Sequence, residues 1–152
     1  MIDFKNKITI LRPVNEVYPF VANLENLPKW NYFVTNVEKR SKGKNGIGAK
    51  YHQIRKSDSQ DLRITEFERN KTLTIETIPP SRPALTRKMV FHEQDGTTSI
   101  EDHWQLETGG IGILERLAST RVKKAVSENL GKLKELLESG RTTLQDGRRI
   151  IK

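Results

Sequence analysis

Arg87, Asp102 and Trp104 are the residues of this sequence whose types and spacing offer the most specific chemistry. They lie in two alternating segments on either side of Asp95-Gly96, and the parity of each segment directs all three side chains to its apolar face. A buried charge is costly unless it is paired, so Arg87 and Asp102 are expected to pair, to hydrogen-bond or to face a wet cavity. Trp104, opposite Arg87, is placed to stack on the guanidinium group.

Three interpretations of this group stay open on the sequence alone. As binding residues, Arg87 and Asp102 would anchor the polar end of a ligand in a mostly apolar pocket. As catalytic residues, they would supply the acid or base that promotes enolisation or loss of water. As structural residues, they would form an ion pair or occupy a rim position in contact with water.

The register that brings these residues together follows from Asp95-Gly96, a dipeptide typical of a two-residue hairpin loop. Such a loop pairs Gln94 with Thr97, and each further pair follows outward along the two strands. The predicted pairs on the inner face are Phe91 with Ile100, Met89 with Asp102, Arg87 with Trp104, and Leu85 with Leu106. Because most of these side chains are apolar, the face is predicted to be buried.

Further pocket residues are predicted on neighbouring parts of the chain. Strand parity directs Ile75 and Thr77 inward, and Tyr51 is placed inward on an earlier strand. Trp30 stands in an aromatic group with Tyr32, where it either gates the pocket or belongs to the core.

The loop at Asn70-Lys71 leaves one inward position undecided. With a two-residue loop, Glu66 pairs with Ile75 and faces inward, whereas a shift of one residue puts Phe67 there and Glu66 in solvent. Burial of the aromatic ring favours Phe67 slightly.

A long helix near the carboxyl end of the sequence adds three candidates. Leu114, Leu117 and Arg121 recur at steps of three and four and therefore share one face. The two leucines are predicted to contact the ligand, and Arg121 either reaches the cavity or extends to solvent. Gly109-Gly110, just before the helix, forms either a lid hinge or an ordinary turn.

The periodicity of apolar residues predicts the elements that position these side chains. A strand over residues 3–11 leads into a helix that begins at Pro13, and a short helical turn ends near Trp30. Six strands follow, at Val34–Lys39, Gly48–Lys56, Asp61–Glu68, Thr72–Ile78, Leu85–His92 and Thr98–Leu106. The long helix spans Ile113–Ser139, and residues 141–152 are predicted to form a frayed basic tail.

This order of elements predicts one α+β domain over residues 1–140. A seven-stranded antiparallel sheet with one apolar face needs a cover, and only the long C-terminal helix is large enough. A sheet that curves around one helix leaves a hollow between them, which predicts a ligand cavity.

The order of elements and three local motifs resemble the START-like (SRPBCC, helix-grip) superfamily, and more narrowly its polyketide cyclase/dehydrase-like branch. The motifs are PVNEVY at 13–18, NLENLPKW at 23–30 and GIGA at 46–49. The resemblance covers residues 3–139 and implies a helix-grip fold, in which the sheet wraps the C-terminal helix and encloses a ligand cavity. Members of this superfamily include lipid carriers, hormone sensors, cyclases and cofactor chaperones.

The leading prediction is binding of a small hydrophobic or amphipathic molecule, such as a lipid, isoprenoid or polyketide-like compound, between sheet and helix. The alternative is an enzyme of the cyclase or dehydratase type, with Asp102 and Arg87 as the catalytic candidates. The predicted ligand-binding residues are Trp30, Tyr51, Ile75, Thr77, Arg87, Met89, Phe91, Ile100, Asp102, Trp104, Leu114, Leu117 and Arg121.

Composition excludes several other classes of protein. The 152 residues contain no cysteine, which rules out disulfide scaffolds, iron–sulfur clusters and thiolate zinc sites. No apolar run is long enough to cross a membrane, and residues 1–4 lack the order of a signal peptide, so a cytoplasmic protein is expected.

The sequence also predicts no metal site, no cofactor and no nucleic-acid partner. The three histidines lack a supporting ligand pattern, and no glycine-rich phosphate loop or hydrolase triad is present. The net charge of +8 is spread over a loop, the long helix and the tail, while the aromatic residues belong to the inner face. Weak contact with an anionic membrane surface is expected instead, and the oligomeric state is left open.

Overall fold

The computed structural model describes residues 1–110 and 112–152 of the chain. Its elements in chain order are β1 (Ile2–Ile10), α1 (Val14–Ala22), a 3₁₀ helix (Leu24–Lys29), β2 (Val34–Lys39), β3 (Lys50–Arg55), β4 (Ser59–Glu68), β5 (Thr72–Thr77), β6 (Ala84–Gln94), β7 (Thr97–Glu107), α2 (Ile113–Ser139), β8 (Arg141–Thr143) and β9 (Arg149–Ile151). The first seven strands form one antiparallel sheet in the order β1-β7-β6-β5-β4-β3-β2. This is the α+β class that the sequence predicts.

The β6–β7 hairpin fixes the geometry of the inner face. Asp95 and Gly96 both have positive φ, 53° and 75°, as a primed turn requires, and the strands pair in unbroken register from there. Arg87 is opposite Trp104, and Asp102 is opposite the residue two positions further along β6. The predicted register of this hairpin is therefore confirmed.

The β4–β5 hairpin settles the choice between Glu66 and Phe67. The strands pair around a three-residue loop, and a bulge lies between Ile64 and Glu66. The Phe67 ring packs edge-on against Tyr18, with ring centroids 5.4 Å apart. The Glu66 carboxylate is half-exposed and ion-pairs with Lys88. Phe67 is therefore the inward residue, as its burial favours.

The two short helices cover one end of the inner face. Pro13 caps α1 in an extended conformation, and Val17, Tyr18 and Val21 form the buried side of the helix, which contacts β6 and β7. The side chain of Asn23 accepts a hydrogen bond from the backbone of Glu25 and so starts the 3₁₀ helix.

Helix α2 is packed unevenly along its length. Its fully buried residues all lie in the C-terminal part, at Val126, Asn129, Leu130, Leu133, Leu136 and Leu137. In the first turn, by contrast, Ile113 and Leu114 are 75% and 80% exposed. The helix ends at Gly140, whose φ of 83° suits glycine and whose N–H bonds to the carbonyl of Leu136. No helix in the described residues is long and apolar enough to span a membrane.

Residues 141–151 form a small hairpin, β8–β9, where the sequence predicts a frayed tail. Thr142 and Leu144 are buried, and Gly147, with φ of 91°, permits the turn between the strands. The Thr142 hydroxyl donates to Glu135 on α2, at 2.6 Å. The prediction was wrong because a three-residue strand is too short to show an apolar period.

The β8–β9 hairpin also bridges α2 and the far side of the sheet. The amide of Gln145 donates to Asn129 on α2, at 3.2 Å. Asp146 ion-pairs with Lys56 after β3, at 2.9 Å, and Arg148 donates to the carbonyl of Tyr32, at 2.9 Å. The hairpin therefore connects the helix to the beginning of β2 and the end of β3.

Candidate ligand-binding site

The central feature of the inner face is a buried ion pair between Arg87 and Asp102. Strand pairing places the two residues diagonally on β6 and β7, as predicted. Arg87 donates through Nε to Oδ1 of Asp102 at 2.9 Å and through Nη2 to Oδ2 at 2.7 Å. The two residues are 5% and 0% exposed. This bidentate geometry is the strong form of the contact, and it satisfies both charges where water is excluded.

Two indole rings enclose the guanidinium group. Its Cζ lies 4.7 Å from the ring centroid of Trp104 and 5.3 Å from that of Trp30. Phe4 on β1 stacks on the Trp104 ring, with centroids 5.9 Å apart. The stacking of Trp104 is confirmed, and Trp30 reaches the same cation from the end of the 3₁₀ helix. We refer to Trp30, Arg87, Asp102 and Trp104 as the arginine cluster.

Hydrogen bonding within the arginine cluster is incomplete at one atom. Asp102 accepts two bonds from Arg87 and a third from Nε1 of Trp104, at 3.2 Å. Nε1 of Trp30 is buried and has no hydrogen-bond partner among the described residues. A buried N–H without an acceptor is destabilising by about 1–3 kcal/mol. The cluster therefore has one donor available for an incoming acceptor.

The apolar residues predicted for the pocket lie in the packed core. Ile75, Met89, Phe91 and Ile100 are all buried and belong to one contiguous cluster of hydrophobic side chains. Thr77 is buried too, and its hydroxyl donates to the carbonyl of Pro83 and accepts from the backbone of Leu85. Because the Thr77 hydroxyl is engaged by the backbone, it acts here as a structural group.

Leu114, Leu117 and Arg121 differ from their predicted position. Leu114 and Leu117 are 80% and 54% exposed, and Arg121 is exposed as well. At roughly 100° per residue, Leu117 and the buried Leu133 are about 160° apart around α2. The helical spacing keeps the three on one side of α2, but all of them precede Val126, the first buried residue of the helix. The structure therefore places none of the three against the sheet.

A second site, a cleft, lies at the other end of the inner face and was missed by sequence reasoning. Its volume is about 510 Å³, and its lining includes Tyr18, Glu25, Lys39, Asn45 and Tyr51. These residues come from α1, the 3₁₀ helix, β2, the following loop and β3. Only the inward parity of Tyr51 signalled this region, because residues gathered from five segments leave no periodic pattern.

The two phenol groups of this cleft already have hydrogen-bond partners. The Tyr51 hydroxyl donates to Oδ1 of Asn45 at 2.6 Å, and the Tyr18 hydroxyl donates to the carbonyl of Thr72 at 2.7 Å. Burial, assisted by the charge of Glu25, raises the pKa of Tyr51 to about 12. Burial, with smaller effects from two glutamates, likewise raises the pKa of Tyr18 to about 12. Both phenols are therefore neutral donors at physiological pH.

Metal ligation has no support in the part of the chain that the structure describes. Residues 1–110 and 112–152 contain no group of three or more His, Cys, Asp or Glu side chains that could hold a metal ion.

Comparison with known proteins agrees with this architecture. The model of a family described as polyketide cyclase/dehydrase and lipid transport matches residues 1–138. No curated protein sequence matches the chain.

Solved structures share the helix-grip fold at low identity. A Bacillus halodurans protein solved in solution is 14% identical with a TM-score of 0.72, and 91% of this chain covers 98% of that one. XoxI of Bacillus cereus is 13% identical with a TM-score of 0.71, at 89% and 94% coverage. StfQ, a di-domain ARO/CYC of the steffimycin biosynthetic pathway, is 17% identical with a TM-score of 0.66. The match covers 89% of this chain and 44% of StfQ.

Proposed function

We propose that this chain, which belongs to the polyketide cyclase/dehydrase and lipid transport family, binds a small hydrophobic or amphipathic molecule between its sheet and α2. The polar end of the ligand contacts the arginine cluster. The apolar remainder, of a lipid, isoprenoid or polyketide-like kind, lies against the aliphatic and aromatic side chains of β6 and β7. Family membership supports a ligand-binding role, and the cluster supports its location.

The observation that carries this proposal is the buried Nε1–H of Trp30, which has no partner. A ligand oxygen that accepts from this group would remove the cost of the unsatisfied donor, which amounts to about 1–3 kcal/mol. The neighbouring guanidinium is already fixed by Asp102 and by the two indole rings. The site is therefore preorganised, and little side-chain entropy is lost on binding.

The charge balance of the cluster favours a neutral acceptor on the ligand. Asp102 neutralises Arg87, so a ligand carboxylate would bring an uncompensated charge into a buried site. A ketone or hydroxyl oxygen would accept from Trp30 without that penalty. The predicted ligand is thus an apolar molecule with a carbonyl or hydroxyl group at one end.

Space for the apolar part would come from displacement of α2 where the helix is least firmly packed. The fully buried residues of the helix begin at Val126, whereas Ala118 and Val122 are only partly buried against the core. Displacement of the first three turns therefore breaks fewer apolar contacts than displacement of the later ones.

The second candidate is a cyclase or dehydratase, favoured by the presence of a carboxylate, Asp102, in the same cluster. In loss of water from a β-hydroxy ketone, a base takes the proton next to the carbonyl, and the hydroxyl group gains a proton and leaves as water. Against this role, the Asp102 carboxylate already accepts three hydrogen bonds, which leave its oxygens less available to take a proton. Incubation with a β-hydroxy ketone tests this role: an enzyme would form the dehydrated ketone, and Asp102→Asn would abolish the product.

The binding proposal is tested with prodan, a fluorescent naphthyl ketone, and with native mass spectrometry of the purified protein. We expect prodan to bind the wild type and to bind the double variant Arg87→Met/Asp102→Leu about ten-fold more weakly, because the anchoring cluster is lost. Removing both charges together leaves neither one buried alone, so the double variant is expected to fold. Circular dichroism checks this.

The matched control is Lys88→Met/Glu66→Leu, which removes an exposed ion pair whose Nζ–Oε1 distance is 3.3 Å and whose lysine lies on the same strand β6. It is expected to bind prodan as the wild type does. Equal affinity in both double variants would refute the role of the arginine cluster. Absence of prodan binding, together with absence of any co-purified organic molecule, would refute ligand binding itself.

A further inference from the structure

The first two turns of α2 carry an exposed apolar surface. Ile113, Leu114 and Leu117 are 75%, 80% and 54% exposed, and all three precede Val126, the first buried residue of the helix. Folded monomers rarely expose adjoining large aliphatic side chains without an interaction to explain them. Packing among residues 1–110 and 112–152 leaves these three side chains largely uncovered.

Basic side chains surround this apolar surface. Arg116, Arg121, Lys123 and Lys124 are all exposed. Glu115 is the one acidic residue between positions 113 and 124, and its carboxylate ion-pairs with the amino group of Met1. The exposed surface of the first three turns therefore combines large aliphatic side chains with a strong positive charge.

We infer that these residues dock the protein on an anionic lipid membrane. The three aliphatic side chains enter the boundary between headgroups and acyl chains, and the four basic side chains contact lipid phosphates and carboxylates. Charge decides between the occupants: a second copy of the chain would bring like charges together, whereas an anionic leaflet complements them. We call Ile113, Leu114, Leu117 and the four basic residues the α2 docking surface.

The docking surface lies at the same end of the sheet as the arginine cluster. Glu115 contacts the amino group of Met1, which precedes β1, and Phe4 of β1 stacks on Trp104. A docked molecule would present to the membrane the part of α2 that is least firmly packed on the sheet. A lipid or isoprenoid could then pass between bilayer and protein without crossing bulk water.

Vesicle co-sedimentation tests this inference without any knowledge of the ligand. The probe is a phosphatidylcholine vesicle with about 30% phosphatidylserine, compared with pure phosphatidylcholine. We expect Leu114→Ser/Leu117→Ser to weaken binding to the anionic vesicle about ten-fold, through lost apolar burial. Lys123→Glu/Lys124→Glu should weaken it by at least about ten-fold, because a basic side chain near the surface contributes about five-fold. Both pairs are exposed or near-surface, so folding is expected to be preserved.

The matched control is Lys42→Glu/Lys44→Glu, which makes the same change of charge in the exposed loop after β2, at the opposite end of the sheet. It should alter binding less than about two-fold. An equal loss of vesicle binding in this control would refute a localised docking surface. Equal binding of the wild type to both kinds of vesicle would refute electrostatic attraction to the membrane. A dimer that dissociates on Leu114→Ser/Leu117→Ser in sedimentation velocity would assign the patch to self-association and overturn the inference.

The ligand-site variant Arg87→Met/Asp102→Leu separates this inference from the proposed function. It is expected to bind anionic vesicles as the wild type does, because none of its changes lies on the docking surface. Loss of prodan binding with retained vesicle binding would support both ideas. Failure of either measurement alone would overturn only the corresponding one.

Discussion

The two ends of the inner face use similar residue types with opposite results. At one end the rings of Tyr18, Phe67 and Phe91 pack edge-on, with Tyr18 5.4 and 4.9 Å from the other two, and the Tyr18 hydroxyl bonds to a backbone carbonyl. At the other end two indoles enclose an ion pair, and the N–H of Trp30 has no acceptor. At the first end the Tyr18 hydroxyl already has its acceptor, and a cleft opens beside the rings. At the second end a buried indole N–H is left that can donate to another molecule.

The largest loss of stability is expected when the ion pair of the arginine cluster loses one partner. Asp102→Leu leaves the Arg87 guanidinium buried without its partner, which should lower the free energy of unfolding by about 3–5 kcal/mol. Urea denaturation measures this loss. Arg87→Met/Asp102→Leu should recover most of it, because no isolated charge remains. A single variant as stable as the wild type would show that water reaches Arg87 and that the cluster is not closed.

A smaller loss of stability is expected at the Tyr18 end. Tyr18→Phe keeps the ring contacts with Phe67 and Phe91 but leaves the carbonyl of Thr72 without its donor, so the free energy of unfolding should fall by about 1–2 kcal/mol. The measurement is again urea denaturation. This variant should bind prodan as the wild type does, and a loss of prodan binding would move the ligand site to the Tyr18 end.

The smallest effect on the free energy of unfolding is expected from the exposed ion pair of Asp146 with Lys56. Comparing it with the arginine cluster shows how much burial changes the contribution of an ion pair to stability. The Lys56 ammonium, then the backbone N–H and side chain of Arg148, lower the pKa of Asp146 to about 2. A lowered pKa in the folded state means that the contribution to stability is present above the ordinary value of 3.8 and is lost as pH falls towards about 2.

Asp146→Asn tests that linkage. The variant should be slightly less stable than the wild type at neutral pH, and the difference should disappear as pH falls through that range, because protonation removes the same charge. Urea midpoints across the pH range measure the difference. A gap that stays constant at low pH would show that the charge of Asp146 is not the source of its contribution to stability.

The arginine cluster shows how far sequence reasoning reaches and where it stops. Asp95-Gly96 fixes a register in which Arg87 faces Trp104 and lies diagonal to Asp102, and the structure confirms each of these relations. The contact of Trp30 with Arg87 was not predicted in detail, because it depends on how the 3₁₀ helix folds back over the sheet. Local patterns determine neighbours within a hairpin, whereas contacts between distant segments depend on tertiary packing.

Helix α2 illustrates a second limit. Its bounds were predicted as the structure has them, and the common face of Leu114 and Leu117 follows from the period of the helix. Which face meets the sheet was not determined, because apolar residues occur on both sides of its first three turns. The outcome depends on the longer apolar run further along, which packs on β1 and leaves the early leucines exposed.

The β8–β9 hairpin has a mechanical consequence for the helix it follows. It lies beyond residues 1–138, the region that the family model matches, and it ties the later turns of α2 to Lys56 and Tyr32. Because the hairpin holds α2 at Asn129, any tilt of the helix would displace each turn in proportion to its distance from Asn129. A small rotation about Asn129 would therefore barely move Leu133 and would move the first turn furthest.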